Sequence, residues 1–263
     1  MRKPTFALLL ILLISLCAIP AVAQTPVASP SAADIDALCG TVQSDATPTT
    51  ETFDPAIDLS AVSPDQIVLD ALHPTLATTN ALTEIIAVRS KHPPMVDLAL
   101  EILPIQADWL TQTDAIREQH YAGKANLNPV QIAQAFVMAT SASPGMGGTS
   151  GLEPLTSEHQ LESLRDLCAE SLEPDLVFID HMVAQYSGLL VLTGFAMEHA
   201  QHAETVALAT TIQSEVLAEL DQFNLWRQTW FPNAPFQDDH AGDWSPFSAD
   251  CRATPAPECQ PQP

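Results

Sequence analysis

Apolar residues recur at alternating steps of three and four along the second half of the chain, the period of helices that bury one stripe. Near the end the stripe runs Ala209, Ile212, Val216, Glu219, Phe223, Trp226 and Trp230. One segment earlier it runs Phe178, Met182, Gln185, Leu189, Leu192, Ala196 and His199. No stretch alternates with the period of two that a half-buried strand requires. Helix starts are signalled by Ser63-Pro64 and Asn128-Pro129, a capping residue followed by proline at the first helical position, and by Ser157 with Gln160, a capping-box spacing. The pattern predicts an all-α protein.

The chain also repeats itself. Val68–Tyr121 lies over Phe178–Phe231 without a gap, with 11 identities in 54 positions. The identities include Asp70/Asp180, His92/His202, Leu98-Ala99/Leu208-Ala209 and Arg117/Arg227. Each copy reads as two long helices with a turn near the histidine. Neither hairpin can bury its apolar face alone, so the two are expected to pair into a four-helix bundle. The organisation that follows is a leader at 1–23, a Ser/Thr/Pro-rich linker with a short helix at 24–62, and a first hairpin with a short helix at 63–139. A Gly-rich linker at 140–153, a second hairpin at 154–231 and a Pro-rich tail at 232–263 complete it.

Residues 1–23 have the form of a secretory signal: Arg2 and Lys3, an uncharged apolar run from Phe6 to Ile19, and small residues at Ala21 and Ala23. The run falls short of the ~20 apolar residues that span a bilayer, although an uncleaved anchor is the other reading. Cleavage near Ala23 would leave an extracytoplasmic protein, periplasmic or secreted, with Cys39, Cys168, Cys251 and Cys259. An even number of cysteines in an oxidising compartment predicts two disulfides, with three connectivities open. The formal charge of −23, with 9 Lys+Arg against 32 Asp+Glu, argues against nucleic acid and anionic membrane surfaces as partners. A metal ion, a protein partner or a second copy of the chain stay compatible with it.

Chemistry is expected in the second hairpin, where Glu219 interrupts an apolar seam. A buried carboxylate needs a partner, a proton or a metal. Gln185 faces the same interior, His181 lies one turn before it, and His202 sits where the hairpin turns. Glu219, Gln185, His181 and His202 are therefore the candidate metal donors, each with a plain structural alternative as a hydrogen-bonded core residue or a helix-end group. No catalytic residue is assigned. The chain has no Glu-x-x-His, no HExxH, no GxSxG and no phosphate-cradling glycine loop, so a non-enzyme is expected.

The stretch FIDHMVAQYSGLLVLTGFAMEHAQHAETVALATTIQSEVLAELDQFNLWRQTWF, Phe178–Phe231, resembles the domain-of-unknown-function family numbered three hundred and five, and Val68–Tyr121 resembles it more weakly. The shared positions include Asp180, Met182, Gly188, His202, Glu219 and Trp226. The resemblance implies an exported, ferritin-like four-helix protein, with copper as the metal that some members handle. Where that family carries two adjacent histidines and then a methionine, this chain has Gln185, Tyr186 and Leu192. Where it carries Gln, Glu and Met on the next helix, this chain has Val216, Glu219 and Phe223. The implied function is an exported, non-catalytic binding protein related to copper-handling relatives, with most ligands replaced. The alternative is a bundle kept as an interaction or structural module without metal.

Overall fold

The computed structural model describes residues 29–44, 57–140, 150–169 and 172–238, and no strand occurs among them. The expected leader, the connection at 141–149, Cys251 and Cys259 lie outside the described residues. The helices are α1 (Ala32–Ser44), α2 (Pro64–Arg89), α3 (Pro93–Tyr121), α4 (Pro129–Thr140), α5 (Ser157–Cys168), α6 (Pro174–His199) and α7 (Ala203–Trp230), with 3-10 turns at Leu59–Ala61 and Ser150–Leu155.

Two of the expected starts are capped as the sequence suggests. The Ser63 hydroxyl accepts from Gln66 N–H at 3.2 Å, and the Asn128 side chain accepts from Gln131 N–H at 2.9 Å while the Gln131 side chain accepts from Asn128 N–H. The third differs by one residue. Thr156, not Ser157, caps α5, because its hydroxyl reaches His159 N–H at 3.4 Å.

The two hairpins, α2–α3 and α6–α7, pack through α2 against α6 and α3 against α7, forming the four-helix bundle. Helices α1, α4 and α5 cover the outside of α2, and α5 also reaches α6. Helix α6 is long and apolar enough to cross a membrane, yet it is almost wholly buried inside the fold. It is covered by α2, α7, α5 and the turn at Ser150–Leu155. Gly188 allows that turn to lie so close, since a Cβ there would stand 2.8 Å from Leu155 Cγ.

The repeat is a structural pseudo-two-fold held by buried aspartates, each of which has a counterpart at the matching place in the other copy. Asp70 pairs with Arg117 at 2.6 Å and Asp180 with Arg227 at 2.7 Å. The second oxygen of each accepts from the chain past the hairpin, Leu127 N–H at 2.9 Å and Gln237 N–H at 2.8 Å. The correspondence thus runs beyond Tyr121 and Phe231, where the aligned segments end. The hairpins also cap one another. Asp65 on α2 accepts from Gln201 and His202 N–H at the α6–α7 turn, at 2.8 and 3.0 Å. Asp175 on α6 accepts from Lys91 N–H at the α2–α3 turn at 3.0 Å, and from Ser90 Oγ. His92 stacks on Trp230 of the other hairpin at 4.1 Å between centroids, and His202 stacks on His120 at 3.7 Å.

Cys39 and Cys168 form a disulfide, with Cα atoms 5.4 Å apart, that fastens α1 to the end of α5. Arg89 seals the same end by donating to the carbonyls of Leu167 and Cys168 at 3.1 and 3.0 Å.

These contacts have measurable consequences for stability. Asp65→Ala leaves two turn N–H groups without their acceptor and should cost about 2–4 kcal/mol, with Asp65→Asn costing less, in denaturant unfolding. Reduction of the bridge, whose cysteines are 129 residues apart, should lower stability by about 3–5 kcal/mol. A melting temperature unchanged by reductant would contradict a stabilising bridge.

Candidate metal centre

The interior position expected to carry chemistry is occupied by a hydrogen-bonded chain. Tyr186 donates its hydroxyl to Glu219 Oε2, and Gln106 Nε2 donates to the Tyr186 oxygen at 3.0 Å. Thr83 Oγ1 lies 3.3 Å from Gln106 Oε1 on the far side. Burial raises the Glu219 carboxyl to about 7, with the Tyr186 hydrogen bond opposing and nearby Glu215 assisting. Burial and the Glu219 charge push Tyr186 well above its ordinary value. Glu219 is therefore a carboxyl satisfied by protein, and the residues around it do not offer the imidazole and thioether set that the family resemblance implies.

The four candidate donors do not converge. Gln185, next to Tyr186, instead donates to the carbonyl of Pro154 at 2.7 Å. His202 stands at the N-terminal cap position of α7 and stacks on His120. His181 is buried on the other flank of α6, where α5 and the tail cover it.

There a second constellation forms. His159 stands in the first turn of α5 and Asp166 two turns later on the same face, while His181 stands two turns into α6. Asp238 comes from the segment after α7, which Arg227 winds back by donating to the carbonyls of Phe231 and Ala234 at 2.9 Å each. The Gln237–Asp180 bond then fixes the residue next to Asp238. Asp238 Oδ2 lies 2.6 Å from His181 Nδ1 and 3.0 Å from His159 Nε2. The other nitrogen of His181, Nε2, is 3.2 Å from Asp166 Oδ2. One donor atom each from His159, His181 and Asp238 lie within 4.8 Å of one another. The side chains of Asp238 and His181 are 0% and 2% exposed, and that of Asp166 is 37% exposed, which marks the wet side.

Burial works against the charged form of His181, but the hydrogen bonds and charges of Asp166 and Asp238 outweigh it and raise the ring to about 9. Burial likewise opposes ionisation of Asp238, and the two histidines pull it well below the usual carboxylate range. Without a metal the cluster is a closed ion pair. With the ring protons removed it offers two imidazole nitrogens and a carboxylate, a donor set that fits a transition-metal ion. The carboxylate on the outer nitrogen of His181 fits as well, since such partners orient metal-bound histidines.

The family model described as domain of unknown function (DUF305) matches residues 77–227, more than half of the chain. The chain belongs to the DUF305 family. No curated protein and no solved structure matches it. The DUF305 match takes in His159, Asp166 and His181 and stops before Asp238. Sequence reasoning missed His159, Asp166 and Asp238. A signal for the last existed: Asp238 is the repeat counterpart of Asn128, the cap of α4, and extending the alignment past Tyr121 and Phe231 reaches it.

The pH dependence has a definite sign. Glu219 rises from 4.5 to about 7 on folding, so it favours the fold fully below pH 4.5 and loses that contribution as pH climbs through 7. Glu219→Gln should flatten a decline of up to roughly 3 kcal/mol between pH 4.5 and 7.5. Equal slopes for both proteins would show that Glu219 ionises as freely folded as unfolded. The His181–Asp238 pair is strongest between the ordinary values of its members, 3.8 and 6.5, and weakens above that as pH passes through about 9.

Proposed function

We propose that this DUF305 protein is an exported, non-catalytic metal-binding protein, and that its ion is held by His159, His181 and Asp238. The carrying observation is the buried meeting of two imidazoles and a carboxylate from three separate elements, with Asp166 behind His181. Export is supported by the signal-like start of the chain and by the buried Cys39–Cys168 bridge, which suits an oxidising compartment. The absence of any local nucleophile–base or Glu-x-x-His pattern from the sequence supports a role without catalysis. The metal role inherited from the resemblance thus moves from the bundle interior to its flank.

One observation favours the other reading, a bundle without metal: the 2.6 Å and 3.0 Å contacts satisfy the cluster as an ion pair that clamps the tail onto α5 and α6. Thermal unfolding in chelator and in Zn(II) separates the two. Binding predicts a melting temperature that rises with Zn(II), equivalent to about 2.7 kcal/mol at a hundredfold excess over Kd, and no such rise in Asp238→Asn. A clamp alone predicts indifference to Zn(II) and a loss of stability in Asp238→Asn under both conditions.

A further inference from the structure

We infer that the centre selects borderline divalent ions of the Zn(II) and Cu(II) class and discriminates against Cu(I). This rests on the metal-binding reading above and adds the identity of the ion to it.

Three features carry the selection. First, the donors are two imidazole nitrogens and one carboxylate oxygen, with no sulfur beside them among the described residues. The cysteine at the end of α5, Cys168, is locked in its disulfide, and Met182, the neighbour of His181 on α6, is fully buried in the main apolar core. Soft monovalent copper draws its affinity from thiolates and thioethers, whereas imidazole with carboxylate suits Zn(II) and Cu(II). Mg(II) and Ca(II) gain little from imidazole and prefer oxygen shells.

Second, the charge balances for a dication. Two neutral histidines with Asp238 as ligand and Asp166 behind them present two negative charges, which a divalent ion cancels. A monovalent ion would leave one negative charge uncompensated beside side chains that are 0% and 2% exposed, an expensive arrangement in a poorly hydrated site.

Third, the shape suits a small ion with one coordination position left open. Ligands about 2.0–2.1 Å from a tetrahedral ion stand roughly 3.3 Å apart. Admitting one requires Asp238 Oδ2 to withdraw by about 0.7 Å from His181 Nδ1, now 2.6 Å away, and the two imidazole nitrogens, which lie within 4.8 Å of each other, to come to the same spacing. A turn of the Asp238 side chain supplies the first change and a turn of the less buried His159 ring the second, without releasing the Gln237–Asp180 bond that holds the main chain. His181 keeps its Nε2–H for Asp166 and ligates through Nδ1. A fourth position would then belong to water or to an incoming ligand.

The test is a set of chelator-competition titrations on the oxidised protein with Zn(II), Cu(II), and Cu(I) kept reduced by a non-thiol reductant, with Mg(II) as control. The expected result is one Zn(II) or Cu(II) per chain, Cu(II) the tighter, and Cu(I) at least about 100-fold weaker than Zn(II). Asp166→Asn should weaken Zn(II) about 10–100-fold with the stoichiometry unchanged. His159→Gln, at the less buried ligand, should remove tight binding even if a His181 variant fails to fold. Stoichiometric Cu(I) binding as tight as Zn(II) would overturn the selectivity while leaving the metal-binding reading intact. Failure of every ion to bind, or Zn(II) binding unaffected by His159→Gln, would overturn the centre itself.

Discussion

Four aspartates buried near the helix ends set the constraint on which the rest of this fold depends. Asp65, Asp70, Asp175 and Asp180 are removed from water, and each must be met by donors that water no longer supplies. Asp70 and Asp180 find an arginine on the partner helix of their own hairpin and a main-chain N–H beyond it. Asp65 and Asp175 find the opposite hairpin's turn. The first pair closes each hairpin, and the second pair locks the hairpins together in one register. Sliding one hairpin by a turn would strand two buried carboxylates and the N–H groups they accept from, so the arrangement specifies position more sharply than apolar packing alone.

The same devices position the candidate centre. Arg227 does more than neutralise Asp180. By gathering the carbonyls of Phe231 and Ala234 it folds the chain back after α7, and Asp180 then takes Gln237 N–H, which delivers Asp238 to His181 and His159. In the first half Arg117 performs the equivalent turn and delivers Asn128, which starts α4. One inherited turn thus produces a helix cap in one copy and a carboxylate facing imidazoles in the other. The copies diverge because α5 packs beside α6 and brings His159 and Asp166 with it.

The bundle interior has gone the other way. Tyr186 fills the space beside Glu219 with a ring and satisfies the carboxyl with its hydroxyl, while Gln106 on α3 takes up the phenol. In the first copy Leu76 and Trp109 stand at the matching places, with no carboxylate to satisfy. The centre of the molecule is therefore closed by a hydrogen-bonded chain and apolar packing, and the polar chemistry with access to solvent lies on the flank.

The all-α class, both hairpins, the register of the repeat and the burial of Glu219 were legible in the amino-acid sequence, because helical period and a constant offset between copies are local or repetitive signals that survive without coordinates. Gln185 and Tyr186 show where such signals stop. Both are buried neighbours on α6, but the phenol, not the amide, points at Glu219, a matter of about 100° of helix rotation that the neighbouring packing decides. The pairing of Cys39 with Cys168 was likewise one of three connectivities until α1 and α5 met in space. What only the tertiary structure decided is which residues share the flank: His159, Asp166 and His181 come from two consecutive helices, and Asp238 joins them from a returning tail 57 residues beyond His181. Periodicity fixes the face of a helix on which a residue sits. Which other element covers that face is set by long-range packing and buried charge, and no local pattern encodes it.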